Sequence, residues 1–200
     1  METHTNIQRI LLDITGSDSV VIKQGSRVLV GFEDEADNSG LSVSKKDTDL
    51  QIKLTSQNKF NNSFSSYQSV VSNGTVMIGD VYMNEINMDG DNVNITSIHK
   101  PRKLIITCPD NLDLKVNLIG SSKVKSEVNF SNADLNMTGS SKLKVNAETI
   151  TLNLTGSGSA KLTGTNLYLN TSGSGSVECK HKGGRLAMSS SGTSKIKLLN

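Results

Sequence analysis

Two hundred residues, 34% of them hydrophobic and only 4% aromatic, are enough for one domain but supply few large side chains for a compact core. The formal net charge of +2 points to no particular partner. No stretch approaches the roughly 18 apolar residues that span a bilayer. No signal peptide is visible at the N-terminus, so this sequence predicts neither a membrane span nor a cleaved leader.

The first half of the chain predicts short β-strands. Apolar and polar residues alternate from Leu12 to Ile22 around the turn GSDS, as in a strand with one buried face. Residues 55–69 are rich in Asn, Ser and Gln and predict a surface loop. The other strand candidates of this half are Arg27–Phe32, Leu41–Val43, Leu50–Leu54, Val76–Ile78, Val81–Met83, Ile86–Met88, Val93–Ile95 and Leu104–Thr107.

The second half repeats one pattern, which is an aliphatic strand, a Gly-Ser corner and a second short strand. The clearest copy, LNLTGSGSAKL, starts at Leu152, and a further copy, LDITGSDSVVI, starts at Leu12. The five C-terminal copies, spaced by 19, 17, 17 and 17 residues, start at Val116, Leu135, Leu152, Leu169 and Leu186. Such a period indicates stacked repeats, because one copy alone cannot bury its hydrophobic face.

Aligning the copies predicts which side chains point inward. The first, third, ninth and eleventh positions are mostly apolar and alternate with polar positions, as in half-buried strands. Glycine suits the corner because it adopts positive φ without a Cβ clash. The corner column is Gly120, Gly139, Gly156 and Gly173, with Ser190 in the last copy. The serine column that starts at Ser121 follows it, and its hydroxyls would hydrogen-bond along the stack if they point inward.

These patterns predict an all-β fold, a parallel β-helix or β-solenoid with coils of about 17–19 residues. No segment shows the i, i+3, i+4 apolar pattern of an amphipathic helix. Residues 1–200 are expected to form a single β-solenoid domain, with an irregular N-terminal part at 1–110 and the regular array at 111–200. A β-sandwich is the structural alternative.

Three sequence features together resemble the auto-transporter adhesin family called the head GIN domain. They are the recurring L-x-hydrophobic-(S/T)-G-S-G-(S/D), the opening LDITGSDSVVIKQGSRVLV and the segment LIITCPDNLDLKVNLIGSS. The resemblance is patchy over residues 10–55 and good over 104–200. It implies a β-solenoid without established catalytic residues, commonly on secreted or envelope proteins of bacteria. This sequence departs from the family in having Ser or Lys where Asp often follows GSG.

Residues that carry chemistry are sparse. The GSGS segments at 156–159 and 173–176 lack the third glycine, the following helix and the Gly-Lys-Ser/Thr ending of phosphate-binding loops. The cysteines and histidines have no zinc-ligand spacing, so neither a metal nor a cofactor is predicted. Cys108 and Cys179 should lie four coils, about 19 Å, apart, beyond the ~7 Å limit of a disulfide, and are predicted to be free thiols. Few carboxylates and no nucleophile–base pair make catalysis the least supported function.

Two polar columns of the repeat are the candidate binding residues. From Leu112 onward the chain carries eleven Lys or Arg and five Asp or Glu, an asymmetry typical of an acidic-glycan or nucleic-acid surface, although a solvated polar face is the simpler interpretation. Ammonium and amide groups suit an acidic polymer or glycan hydroxyls, whereas the alternative is that the lysines only give solubility and protect sheet edges. The candidates are Lys125, Lys144, Lys161, Lys195, Asn117, Asn136, Asn153 and Asn170.

The sequence therefore favours a non-catalytic, adhesin-like interaction module with an acidic glycan or cell-surface polymer as its partner and no nucleic acid. A structural scaffold is the second hypothesis, because the array ends at Lys197–Asn200 without a capping helix. An exposed strand edge can pair with another chain, giving end-to-end assembly or a homo-oligomer. An enzyme acting on polysaccharides is the third. The compartment rests on the family resemblance alone, which implies secretion or the cell envelope.

Overall fold

The computed structural model describes residues 2–33, 40–56 and 101–199, together with the backbone of strands at 77–78, 81–89 and 92–97. Every regular element in these described residues is a β-strand, so the all-β prediction is confirmed. The strands are β1 Glu2–His4, β2 Arg9–Gly16, β3 Ser19–Gln24, β4 Val28–Phe32, β5 Leu41–Lys46, β6 Asp49–Thr55, β7 Met77–Ile78, β8 Val81–Asp89, β9 Asn92–Ser97, β10 Lys103–Cys108, β11 Asp113–Gly120, β12 Lys123–Gly139, β13 Lys142–Gly156, β14 Ser159–Gly164, β15 Asn166–Gly173, β16 Ser176–His181, β17 Leu186–Gly192 and β18 Lys195–Leu199.

The chain forms two compact units. One comprises Met1–Ser56 with Arg102–Asn200, and the other comprises Gln57–Pro101. The second unit holds the antiparallel strands β7, β8 and β9, where the sequence predicted four short strands rather than three. Most of the surface loop predicted at residues 55–69 lies outside the described residues.

The first unit contains one mixed sheet of 15 strands, built from two ladders. The long strands β12 and β13 contribute to both ladders. The C-terminal part of each strand, which ends at Gly139 or Gly156, lies in the first ladder, and the N-terminal part, which begins at Lys123 or Lys142, lies in the second. The first ladder is β5-β6-β2-β11-β12-β13-β15-β17. The second ladder is β1-β4-β10-β3-β12-β13-β14-β16-β18. Only the pairs β5–β6, β1–β4 and β4–β10 of this sheet are antiparallel.

The repeats stack in register, and the early copy joins them. Leu12 pairs with Val116, followed along the same column by Leu135, Leu152 and Leu169. The last copy differs from the sequence alignment, because Leu169 pairs with Met188 and not with Leu186. The steps between coils are therefore 19, 17, 17 and 19 residues. A shift of two residues keeps every side chain on its predicted face, so alternation alone cannot detect it.

The inward side chains of both ladders pack into one hydrophobic core. Leu12, Val116, Leu135 and Leu152 are fully buried in a single column of the first ladder. Burying an aliphatic side chain of this size contributes about 1.5–3 kcal/mol, so each strand of the ladder is stabilised mainly by the strands on either side. Phe130 is the largest fully buried side chain of this core.

Glycine holds the corner between the two ladders. Gly120, Gly139, Gly156 and Gly173 have φ between 100° and 109°, and a Cβ there would lie 2.6–2.8 Å from the carbonyl oxygen of the preceding corner glycine. The last corner residue is Gly192 rather than Ser190, because Gly173 pairs with Gly192. This geometry leaves no room for a side chain.

The serines that hydrogen-bond from one strand connection to the next lie one residue after the serine column that the sequence predicted, which starts at Ser121. Ser121 and Ser140 are exposed, whereas the next residues, Ser122 and Ser141, are buried. Ser122 Oγ donates to the carbonyl oxygen of Gly16 at 2.9 Å, and Ser141 Oγ donates to that of Gly120 at 3.1 Å. Each buried hydroxyl therefore links its corner to the corner of the neighbouring coil.

The unit formed by Gln57–Pro101 stands in the chain where other strands of the two ladders are connected by a short corner. β6 pairs with β2 up to Thr55–Thr15, and β10 pairs with β3 from Lys103–Ser19. β6 and β10 thus extend the two ladders beside β2 and β3. The connection from β2 to β3 is the three-residue corner Gly16-Ser17-Asp18, whereas the connection from β6 to β10 is residues 56–102.

A buried ion pair stabilises this unusual corner. Asp18 occupies the position of the buried serines, and its Oδ2 lies 2.8 Å from Nη2 of Arg102. The backbone N–H of Arg102 donates to Asp18 Oδ1 at 2.9 Å, and Arg102 also stacks on Phe32. Burial alone would raise the pKa of Asp18, but the hydrogen bonds and charge of Arg102 outweigh it and the pKa is lowered. The pair ties Arg102, which follows the inserted unit, to the corner at Asp18.

Candidate functional site

The outer surface of the second ladder is dominated by lysine, and we call it the lysine face. The name refers to the part of this surface formed by β12, β13, β14, β16 and β18, where eight exposed lysines stand against two glutamates, Glu127 and Glu178. The lysines are Lys123, Lys125, Lys142, Lys144, Lys161, Lys180, Lys195 and Lys197. They point outward because they alternate with buried residues such as Val124 and Leu143. Paired strands about 4.8 Å apart bring these cations close together.

The backbone register confirms the predicted lysine column except at its last member. Lys125 pairs with Lys144, Lys144 with Lys161, and Lys161 with Glu178. Glu178 then pairs with Lys197, so Lys195 was placed in the wrong column. Lys195 instead belongs to a second column, which runs from Lys103 and Ser19 to Lys123 and Lys142 and then passes through two further serines. The cause is the same two-residue shift that displaced the last copy.

Two ion pairs neutralise only part of this charge. Lys125 Nζ lies 2.7 Å from Glu127 Oε1, and Lys161 Nζ lies 2.8 Å from Glu178 Oε2. The hydrogen bonds from these lysines lower the pKa of both glutamates. Among the described residues, the other six lysines of the face form no ion pair. Because exposed like charges at this spacing repel one another, the face is suited to a polyanionic partner.

The outer surface of the first ladder carries amides and hydroxyls, and we call it the amide face. Its asparagine column contains Asn117, Asn136, Asn153 and Asn170, as the sequence predicted, and extends to Asp13 and Lys53. A parallel column consists mainly of threonine: Thr55, Thr15, Ile119, Thr138, Thr155, Ser172 and Ser191. The predicted asparagine and lysine columns therefore lie on different ladders, one on each side of the corner, and do not form one surface.

The asparagine side chains hydrogen-bond to one another. Asn153 Nδ2 donates to Asn136 Oδ1 at 3.0 Å, Asn136 Nδ2 donates to Asn117 Oδ1 at 3.1 Å, and Asn117 Nδ2 donates to Asp13 Oδ1 at 2.5 Å. Each inner amide thus uses one of its two N–H groups and one acceptor position in the column. The column stabilises the stack and keeps one donor per amide available to solvent or a ligand.

A groove of about 540 Å³ crosses the amide face over β6, β2, β11 and β12. Its outward lining residues are Asp13, Thr15, Lys53, Thr55, Asn117, Ile119, Asn136 and Thr138. Sequence reasoning identified only the two asparagines, because the other strands are separated from them by up to about a hundred residues of chain. The sequence copy that starts at Leu12 aligns Asp13 with Asn117, and this alignment could have indicated the groove residues of β2.

The thiols are buried and unreactive. Cys108 and Cys179 are both free, as predicted, and both are buried, Cys179 among the inward residues of the second ladder. Burial raises the pKa of Cys108 to about 12 and also raises that of Cys179, so both are protonated thiols at neutral pH. In the described parts of the chain, no group of three or more His, Cys, Asp or Glu is arranged to hold a metal ion. The same described residues contain no helix long and apolar enough to cross a membrane.

Comparison with known proteins places the chain in a family. No curated protein sequence matches it significantly. A crystal structure described as that of "a putative adhesin" from Bacteroides fragilis NCTC 9343 covers 99% of this chain and 95% of its own, with 15% identity and a TM-score of 0.33, which is too low to establish a common fold. The family model described as "Putative auto-transporter adhesin, head GIN domain" matches residues 11–200. This match covers nearly the whole chain and agrees with the motif resemblance, so the protein belongs to the head GIN domain family of auto-transporter adhesins.

Proposed function

We propose that this protein is a non-catalytic interaction module that binds an acidic glycan or a similar anionic cell-surface polymer through its lysine face. The adhesin family points to an interaction role. The observation that carries the choice of partner is the excess of eight exposed lysines over two glutamates on the lysine face, which β12, β13, β14, β16 and β18 form. A linear polyanion that lies across the strands of this face meets a lysine at nearly every strand. Each lysine contributes on the order of 1 kcal/mol to the binding free energy near an anionic surface.

The lysines Lys125, Lys144 and Lys161 remain the centre of this site, joined by Lys123 and Lys142. The asparagine column has a different role in the proposal. Its amides bond to one another along the stack, and it lies on the other ladder. We therefore assign the acidic polymer to the lysines and assign Asn117, Asn136, Asn153 and Asn170 mainly to stabilising the coils.

The lysine face is tested by reversing three of its cations that form no ion pair. The variant Lys123→Glu, Lys142→Glu, Lys144→Glu should bind immobilised heparin at least about 100-fold more weakly, since three favourable contacts become repulsive. The matched control reverses three lysines of the first ladder that form no ion pair among the described residues, Lys45→Glu, Lys46→Glu and Lys53→Glu, with the same change in net charge. An equal loss in both variants would show that only net charge matters, and unchanged retention of the first variant would refute the proposal.

We further propose that the stack is a β-solenoid in which the two ladders are successive sides of each coil. Support comes from the parallel in-register pairing of both ladders and from their single shared core. The solenoid also explains the inserted unit, because β6 and β10 then form one coil whose corner has been expanded. Thr55 and Lys103 would be the flanks of a corner like Thr138-Gly-Ser-Ser-Lys142.

This interpretation predicts that the insertion can be removed. Replacing residues 56–102 by Gly-Ser-Ser, together with Asp18→Ser, should give a folded protein with an unchanged β-sheet circular dichroism spectrum per residue. The same replacement with Asp18 retained should be less stable, because it leaves a buried carboxylate without Arg102. The idea that β6 and β10 form one coil would be contradicted if the replacement with Asp18→Ser were unfolded and the replacement with Asp18 retained were at least as stable.

A scaffold that assembles through its strand edges is the second candidate. Within the described residues, β17 and β18 are the last strands of their ladders and pair on one side only. The inward-facing Met188 and Leu198 are 48% and 45% exposed, and β17 carries no charged side chain that would oppose pairing. Sedimentation velocity over a concentration series should show a concentration-dependent oligomer that Ala187→Lys abolishes. A monomer at all concentrations would eliminate the scaffold.

The family's description also supports a location on the cell surface or in the secreted fraction. An acidic envelope polymer would be met there. Fractionation of the native host with an antibody against this protein would test the location, and recovery only with soluble cytoplasmic markers would contradict it.

A further inference from the structure

The groove on the amide face is a second candidate binding site, independent of the lysine face. It lies on the other ladder and is formed by two outward columns, one running from Lys53 to Asn136 and the other from Thr55 to Thr138. Four strands spaced about 4.8 Å apart give it a length of about 14 Å. Its volume of about 540 Å³ falls within the roughly 300–1,000 Å³ typical of small-molecule sites.

The charges of the groove balance. Its lining contains one carboxylate, Asp13, and one cation, Lys53. Asp13 accepts hydrogen bonds from Asn117 Nδ2 at 2.5 Å and from Gln51 Nε2 at 3.4 Å. Among the described residues Lys53 forms no ion pair, although it is the register partner of Asp13. A neutral ligand meets no net repulsion here, whereas a polyanion would face the Asp13 carboxylate and is better accommodated on the lysine face.

The polar groups of the groove suit hydroxyls. The hydroxyls of Thr15, Thr55 and Thr138 have no hydrogen-bond partner among the described residues. Asn117 and Asn136 each keep one N–H group that the amide column does not use. The groove therefore presents both donors and acceptors. A sugar hydroxyl, which both donates and accepts, can pair with either kind of group.

An apolar side chain lies at the centre of this polar lining. Ile119 occupies the threonine column between Thr15 and Thr138 and is 54% exposed. A threonine would continue this column equally well, so nothing in the stack itself calls for an aliphatic residue there. An exposed aliphatic surface flanked by hydroxyls and amides complements a pyranose ring, which presents C–H groups on its face and hydroxyls at its edge.

We propose that this groove binds a neutral oligosaccharide, with a ring packed on Ile119 and hydroxyls bonded to Lys53, the threonines and the free amide groups. The site lies beside β6 and β2 and uses none of the lysine-face residues. Its ligand class differs from that of the lysine face because its charges cancel. Loss of one site should therefore leave the other unaffected.

The test measures binding of the full chain to an array of neutral oligosaccharides that includes maltohexaose, cellohexaose and mannohexaose, followed by calorimetry with the best ligand. Ile119→Asp should weaken that binding at least tenfold, and Lys53→Ala should weaken it several-fold. Ser172→Ala, in the same column outside the groove, should not change it. Heparin affinity of Ile119→Asp should remain within twofold of the parent protein, which also shows that the variant is folded.

Two results would overturn the proposal. One is the absence of binding to every neutral oligosaccharide on the array. The other is binding that survives Ile119→Asp but is lost in Tyr168→Ala, which would place the sugar on the exposed aromatic ring of β15 and not in the groove. Because the lysine face is measured separately with heparin, failure of the groove and failure of the proposed function can be told apart.

Discussion

The amide face and the lysine face are built from the same repeat but use their outward side chains in opposite ways. On the amide face, neighbours in a column are complementary, so Asn136 donates to Asn117 and accepts from Asn153. On the lysine face, Lys125, Lys144 and Lys161 are like charges in register. Stacking identical residues therefore stabilises the fold where the group is an amide, with both donor and acceptor. Stacking identical ammonium groups, which carry like charges and can only donate hydrogen bonds, makes neighbouring side chains repel one another.

This difference indicates how the protein divides stability from binding. A column of amides contributes to the stack and keeps one N–H group of each inner amide for an uncharged ligand. A column that repels itself contributes nothing to the stack and gains most from a partner of opposite charge. The corner glycines join the two ladders and are themselves in register from strand to strand.

The largest effect should come from breaking the corner on which both faces depend. Gly139→Ala should lower the free energy of unfolding by about 3 kcal/mol, because positive φ strains alanine and its Cβ would meet the carbonyl oxygen of Gly120 at 2.6 Å. Denaturant unfolding measures the change. Gly183→Ala is the control, since Gly183 also has positive φ but no atom lies within 4 Å of the point that an alanine methyl group would occupy. Equal losses in the two variants would show that stacking at the corner is unimportant.

A smaller effect should separate the two faces directly. Asn136→Ala removes two side-chain hydrogen bonds and should cost about 1–2 kcal/mol. Lys144→Ala removes no ion pair among the described residues and should change stability by less than about 0.5 kcal/mol. Thermal and denaturant unfolding of both variants measure the difference. If Lys144→Ala proved as destabilising as Asn136→Ala, the lysine face would be structural as well.

The smallest effect concerns the two glutamates of the lysine face. Glu127→Gln with Glu178→Gln should release Lys125 and Lys161 and tighten heparin binding by roughly three- to tenfold at neutral pH. The lysines lower the pKa of both glutamates below the usual 4.5, so these ion pairs persist at neutral pH and are lost only as the pH falls through the lowered values.

In the parent protein, affinity for heparin, whose sulfates stay ionised, should therefore rise on acidification below pH 4.5. The double glutamine variant should not show this rise. A rise of equal size in both proteins would assign it to other groups.

Much of the repeat was predictable from the sequence, because alternation and corner glycines are local features. The strands at Leu12–Ile22 and Leu104–Thr107, the inward columns and the columns of Asn and Lys follow from spacing alone. The two-residue shift at Met188 did not, since a shift of two preserves the face of every side chain. A pair of glycines, Gly183 and Gly184, both at positive φ, precedes the shifted strand and accommodates the longer coil.

The order of the coils was beyond local reasoning. Leu12 lies 104 residues before its partner Val116, and β6 and β10 extend the ladders beside β2 and β3 although they follow these strands in the chain. The groove depends on this order because it combines β6 and β2 with β11 and β12. The clamp of Asp18 on Arg102 depends on it too, since only the fold brings these two residues to one corner.

The central claim is that binding of an acidic polymer belongs to the lysine face. Nuclear magnetic resonance titration of the labelled protein with a heparin hexasaccharide tests it most directly. The account predicts that backbone amide shifts cluster in β12, β13, β14 and β16 around Lys123, Lys142 and Lys144, with none at Asn136 or Asn153. Shifts confined to the amide face, or no shifts at a saturating concentration, would contradict it.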